Sequence, residues 1–301
     1  MVPMRLVSFW GKGGVGKTTC SAALAAGLSE MEGMRVLLLT TDMTPTLSSV
    51  LMAELGSSPT RVEGYSNLFA LELDERAVIE RWKLRFGREV YDVISSFLPV
   101  EEDFIDYVAG APGIAEQFIL YILYEIHREG NYDVIVWDTP ASSSSLRLLR
   151  IEKEVYDHMG EAIKMYLRLK GFLDRIRSKE GNPLKLIESW RELAGEIFEM
   201  LASEDHSAYI VATPERMSYE VSKRIRDELL RFGIRVRGVI VNKYMRAHCE
   251  ELPMLRRNQD DAVSSFLREF GSVKLLSYYD SEIIGRDRLL SFYRDLSLRL
   301  T

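Results

Sequence analysis

The stretch RLVSFWGKGGVGKTTCSAALAAGL (5–28) constrains the fold more than any other part of the chain. An apolar run stops at a glycine-rich loop, and a run of helix formers follows. Gly11, Gly16, Lys17 and Thr18 satisfy G-x-x-x-x-G-K-[ST]. In that loop the backbone N–H groups turn inward around a phosphate, and the following helix presents its positive end to it. The cradle expected here is Gly11, Gly13, Gly14, Val15, Gly16, Lys17, Thr18 and Thr19. Lys17 reaches the β- and γ-phosphates of ATP, and the Thr18 hydroxyl ligates Mg²⁺. Lys12 is a further cation that the general pattern does not require.

More apolar runs follow at intervals: MRVLLLTTD (34–42), LFALELD (68–74), YDVIVWDTP (132–140), AYIVATP (208–214), VRGVIVNKY (236–244) and VKLLSYY (273–279). Helical patterns separate them. Such alternation predicts an α/β fold: a mostly parallel sheet sandwiched by helices, as in a P-loop NTPase. Two stretches break the rhythm. Ile79, Trp82, Phe86, Val90, Ile94 and Phe97 recur at helical spacing, and another helix is expected over 114–127. Between 151 and 206, Ile163, Tyr166, Leu173 and Ile176 mark one amphipathic helix, and Ile187, Trp190, Leu193, Ile197 and Leu201 mark another after Asn182-Pro183. The expectation is one domain, 1–301, with a helical subdomain built from insertions at about 76–130 and 151–206.

Strand ends carry the rest of the chemistry. Asp138 closes VIVWD and is placed to join Thr18 at the metal. Asp42 ends the second expected strand on the same sheet edge, where it can orient or deprotonate a water. The net charge of −6 gives no global basic field for nucleic acid or an anionic membrane. The basic run at 222–238 reads as a solvated helix face. The N-terminal residues do not read as a signal peptide, and no run reaches a membrane span. With only Cys20 and Cys249, a reducing cytoplasm is expected.

KGGVGKTT resembles the deviant Walker A loop of the MinD/ParA/ArsA group, in which the early lysine crosses a dimer to the partner's nucleotide. The resemblance implies that Lys12 acts in trans, where other NTPases use an arginine finger. TTDMTPTLSSVL (40–51) is similar to the first switch of the ArsA and tail-anchored-protein targeting ATPases, with Asp42 on the water-activating aspartate. APGIAEQ (111–117), the second-switch-like 132–150 and SEIIGRDRL (281–289) extend the likeness. ATPERMSYE (212–220) and VIVNKY (239–244) resemble the late nucleotide-binding segments. They imply contacts from Pro214 and Glu215 and an adenine-reading role for Asn242.

The chain departs from that family at Met43, Thr44, Pro45 and Ser49 in the first switch, and at Ser143 and Ser144 in the second. Coupling between hydrolysis and closure is expected to differ accordingly. Cys249 falls on the first cysteine of the targeting ATPases' zinc-binding C-x-x-C, but Leu252 holds the second place, which argues against a zinc-linked dimer. The resemblance implies an ATP-hydrolysing homodimer that binds hydrophobic transmembrane segments of client proteins, without nucleic acid and with at most transient membrane contact. Trp82, Phe86, Phe104, Tyr107, Met159, Ile163, Tyr166, Phe172 and Trp190 either line a client groove or pack as core. The alternatives are a MinD/ParA-like positioning ATPase, for which Leu289, Phe292 and Leu296 offer one amphipathic face, a nucleotide-dependent scaffold that barely hydrolyses ATP, or an arsenite-pump-type ATPase, disfavoured by the lack of a cysteine cluster.

Overall fold

The apolar runs fold as strands β1 (Arg5–Trp10), β2 (Val36–Thr40), β3 (Thr60–Arg61), β4 (Leu68–Glu72), β5 (Val134–Asp138), β6 (His206–Ala212), β7 (Val236–Tyr244) and β8 (Val273–Ser277). This computed structural model describes residues 5–42, 46–96, 99–111, 114–176, 183–245 and 252–298. The strands form one sheet in the order β3-β4-β2-β5-β1-β6-β7-β8. Every pairing is parallel except that of β3 with β4. β2 and β5 are buried at every position, as expected where helices cover both faces of a parallel sheet. β3 has no counterpart among the apolar runs, because its two residues are polar and exposed.

The chain divides into two compact units. The first comprises Met1–Asp74, Ile126–Leu146 and Leu201–Thr301 and contains the sheet. Its helix Lys17–Ser29 is buried along most of its length, which suits its small residues (Ala22, Ala23, Ala25, Ala26, Gly27). Against it lies the C-terminal helix Arg286–Leu296, whose Leu289, Phe292 and Leu296 are fully buried. A Cβ on Gly27 would stand 2.1 Å from the Tyr293 ring, so only glycine permits this approach. Burying each of those apolar side chains contributes about 1.5–3 kcal/mol. The amphipathic face that the positioning-ATPase alternative needs is therefore core, and that feature no longer supports a membrane-binding helix.

The second unit comprises Glu75–Glu125 and Arg147–Met200 and is helical. Helix Glu75–Trp82 runs through a π-turn, Lys83–Gly87, into helix Arg88–Ser95. This buries Val78, Trp82, Phe86 and Val90, spaced by four. A repeat of four drifts around an α-helix of 3.6 residues per turn, and the wider π-turn takes the drift back. Phe86 is the hub of an aromatic cluster, with ring centroids 5.4 Å from Tyr121, 5.7 Å from Trp190, 5.9 Å from Phe118 and 6.4 Å from Trp82. Trp82 and Phe86 thus pack as core, whereas Tyr107 is exposed. Pro183 opens helix Pro183–Ala202, as the expected break requires. Phe97 and the side chains of Tyr166, Phe172, Leu173 and Ile176 lie outside the described residues.

Candidate nucleotide site

β1 delivers the glycine loop at the C-terminal edge of the sheet, and helix Lys17–Ser29 starts at its end. Gly16 has φ +99°, and a Cβ there would lie 2.5 Å from the Asn242 amide nitrogen. The helix start carries no side-chain cap, which suits an anion at its N–H groups. A cleft of about 650 Å³ opens here, lined among others by Gly13, Gly14, Gly16, Lys17, Thr18, Thr19, Asp42 and Asn242. These expected site residues, far apart in sequence, are brought together by the strand order.

The parallel register sets Asp138 beside Phe9 of β1 on one side and Thr40 of β2 on the other. Its Oδ2 accepts hydrogen bonds from the hydroxyls of Thr18 (2.7 Å) and Thr40 (3.3 Å). Its Oδ1 is buried and has no partner among the described residues. Burial pushes the Asp138 carboxyl up to about 6, against the hydrogen bond from Thr18 and the charge of Lys17. Burial also lowers the Lys17 ammonium, against the charges of Asp138 and Asp42. Lys17 Nζ donates to the Lys12 carbonyl at 3.3 Å. An orphaned carboxylate oxygen next to a threonine hydroxyl is a fitting donor pair for Mg²⁺, a hard cation that takes oxygen ligands.

Asp42 stands two residues beyond the end of β2, and its backbone N–H donates to Thr40 Oγ1 at 3.3 Å. The preceding Thr41 is fixed by the Trp137 indole, which donates to its hydroxyl at 3.0 Å. Further along, Glu72 at the end of β4 accepts hydrogen bonds from the Leu47 N–H (2.9 Å) and the Ser48 hydroxyl. The residues on both sides of 43–45 are thereby tied to the sheet. Met43, Thr44 and Pro45 lie outside the described residues, as do the side chains of Ser143 and Ser144 and all of Cys249.

Several expected site residues do not line the cleft. Gly11 and Val15 are buried in the loop, and Pro214 is buried beyond the end of β6. Glu215 is exposed and pairs with Lys12, Oε2 to Nζ 2.9 Å. Asn242 donates from Nδ2 to the Val15 carbonyl (3.0 Å) and accepts the Lys243 N–H on Oδ1 (2.9 Å). A primary amide has two donors and two acceptor lone pairs, so one of each remains for an adenine edge.

The sequence reading missed Thr40, Lys243 and the cleft wall at Ser277–Ile284. Lys243 adopts φ +64° and donates from Nζ to the Gly14 carbonyl at 2.9 Å, bracing the loop. Its position directly after Asn242 at a strand end was the available signal. Tyr278, Asp280 and Glu282 face the cleft because β8 lies in the same sheet, which no local pattern announces.

Known proteins place these features in context. The sequence profile of the family described as anion-transporting ATPase matches residues 4–298. The chain is 30% identical to a putative arsenical pump-driving ATPase 2 of Aquifex aeolicus, covering 98% of this chain and 100% of that protein. It is 28% identical to an ATPase ASNA1 homolog of Cryptosporidium parvum, over 94% of this chain and 78% of the relative. It is 27% identical to ATPase GET3A of Arabidopsis thaliana, over 80% of this chain and 67% of the relative.

Proposed function

The chain belongs to the anion-transporting ATPase family and is an ATP-binding ATPase, and from that premise we propose that it works as a homodimer closed by ATP. In this reading Asp42 positions the attacking water, Lys17 holds the β- and γ-phosphates, and Lys12 reaches the partner subunit's nucleotide. The observation that carries the reading is the state of Lys12. Its ammonium does not line the chain's own cleft and instead rests on Glu215, with side chains 33% and 58% exposed. An exposed pair of this kind is worth about 0.2–1 kcal/mol, so it exchanges readily for a phosphate. Lys17 is by contrast buried at the cleft.

Within one subunit the parts divide the chemistry. The loop N–H groups and Lys17 bind and orient the phosphates. Asp42, held by Thr40 and flanked by the Glu72 anchor, accepts a proton from water at its carboxylate. Thr18 and Asp138 would hold Mg²⁺, which when bound neutralises charge on the phosphate oxygens. Asn242 reads the base with its remaining donor and acceptor, beside a wall formed by Tyr278 and its neighbours.

For the cargo we propose hydrophobic transmembrane segments, on the likeness to the targeting ATPases. The helical unit exposes Leu84, Tyr107 and Met165, apolar side chains that a hydrophobic client could meet. Leu252, Met254 and Leu255 are exposed around the start of helix Pro253–Phe270 and fit contact with a second copy without zinc. A metalloid-driven pump is disfavoured, since Cys20 is fully buried and burial raises its thiol strongly. No described helix is long and apolar enough to cross a membrane, and a cytoplasmic location is part of this proposal.

Complementation tests the dimer. Lys12→Ala and Asp42→Asn should each lose ATP hydrolysis by roughly 10²-fold or more while retaining nucleotide binding. Mixed together, they should recover activity, because a heterodimer has one site with its own Asp42 and the partner's Lys12. A mixture no more active than either variant alone excludes action in trans.

A further inference from the structure

Two consecutive side chains of β7 reach the phosphate loop. Asn242 donates from Nδ2 to the Val15 carbonyl at 3.0 Å, and Lys243 donates from Nζ to the Gly14 carbonyl at 2.9 Å. In an unbroken strand neighbouring side chains point to opposite faces, so two in a row do not ordinarily meet one loop. β7 breaks that alternation here. Its register with β8 pairs Val241 with Leu275 and Tyr244 with Ser277, so β7 holds one residue more than β8 between the two pairs. The extra residue makes a bulge, a device that re-aims side chains. Lys243 sits in it at φ +64°, a backbone conformation that glycine adopts freely and lysine rarely does.

What the two donors do follows from the peptide group. A trans peptide is planar, and its C=O points opposite to the N–H of the next residue. The grip of Lys243 on the Gly14 oxygen therefore turns the Val15 N–H away from Lys243. Likewise, the grip of Asn242 on the Val15 oxygen turns the Gly16 N–H away from Asn242. Gly14 itself resists rotation little, since a Cβ there would meet nothing within 4 Å and its φ is +76°. Left alone, such a loop samples several peptide orientations, and an anion must select one. Two fixed carbonyls remove that choice beforehand and lower the ordering cost of binding. Lys17 also holds a loop carbonyl, that of Lys12 at 3.3 Å, but in the proposed function it turns to the phosphates. Lys243 and Asn242 can keep their hold.

We propose that the bulge at Asn242 and Lys243 is a two-point clamp that sets the phosphate loop for ATP before the nucleotide binds. Lys243 is then a positioning residue that acts through the Gly14 carbonyl and not as a charge on the phosphates. The clamp rests on the phosphate-binding reading of the loop and is independent of action in trans by Lys12.

Three variants of the full-length protein test the clamp: Lys243→Met removes the donor, Lys243→Arg keeps one, and Lys243→Gly removes the side chain and relieves the positive φ. In Lys243→Met the KM for ATP should rise by about tenfold or more, the loss expected for a hydrogen bond from a charged group. Its kcat should stay within about twofold of the parent's, because the loop grips ground and transition states alike. Lys243→Arg should recover most of the affinity. In ligand-free protein, the Gly14 carbonyl carbon resonance should move in Lys243→Met and return toward its parent position in Lys243→Arg. Lys243→Gly should raise KM as Lys243→Met does, while its thermal midpoint stays at or above the parent's. A KM in Lys243→Met within about twofold of the parent's, or a Gly14 resonance that does not respond, overturns the proposal. So does a Lys243→Gly variant that loses stability and keeps its KM, the pattern of a side chain that only packs. A parent chain that binds no ATP removes the nucleotide site itself and the clamp with it.

Discussion

Single residues in this chain act through burial as much as through charge. Asp138 and Glu152 are both buried acids, yet their surroundings differ. Asp138 receives hydroxyls from Thr18 and Thr40 and the field of Lys17, whereas burial alone acts on Glu152 and pushes its carboxyl up to about 7. The native state therefore keeps a proton that the unfolded chain, with an ordinary value of 4.5, releases. Stability contributed by this group is intact below about pH 4.5 and falls as pH rises to about 7, by about 3 kcal/mol in all. Glu152→Gln should flatten that fall, measured as urea midpoints between pH 4 and 8. A profile unchanged by the substitution would mean that Glu152 titrates normally. At this scale the gathering of Gly13, Gly14, Gly16 to Thr19 and Asp42 at one cleft, with Asp138 beside Thr18, was legible from the loop pattern and the strand ends, whereas the burial of Gly11 and Val15 was not. Glu152 was not, since a lone glutamate in a helical pattern reads as surface until its neighbours are known.

Elements carry the next part of the argument. The helix after the loop, which in the proposed function accepts a phosphate at one end, packs tightly along its body. Its alanines and Gly27 let helix Arg286–Leu296 close on it. Replacing Gly27 with valine should cost at least about 1–3 kcal/mol through overpacking against Tyr293. Tyr293→Ala in the same chain should return part of that loss, a coupling read from a double-mutant cycle of thermal or urea unfolding. Additive losses would show that the two side chains do not meet. The C-terminal helix also illustrates an ambiguity of amphipathic patterns. Leu289, Phe292 and Leu296 repeat at a spacing that suits a membrane surface or a protein core equally, and only its docking on the first helix decides between them. The π-turn at Lys83–Gly87 is likewise invisible locally, because the spacing of four that it serves also fits an ordinary helix.

At the scale of the whole molecule, the sheet edge gathers the residues of the proposed nucleotide site, and the helical unit presents exposed apolar side chains. The proposed cargo role predicts that a transmembrane-helix peptide is captured in the presence of ATP and released on hydrolysis. Mass measurement of the protein with peptide, ATP or ADP checks this. Failure to capture the peptide in any nucleotide state removes the cargo role and leaves the ATPase intact. The sequence by itself determined the α/β class, the phosphate loop and most strand positions, because a parallel sheet buried on both faces demands apolar runs and a phosphate loop demands glycines at set places. Only the tertiary structure decided that Lys12 rests on Glu215, that Lys243 and Ser277–Ile284 wall the cleft, and that Glu152 and Trp190 share a cavity. Those relations depend on strand order and helix packing, which join residues by distance in space and leave no periodic trace along the chain.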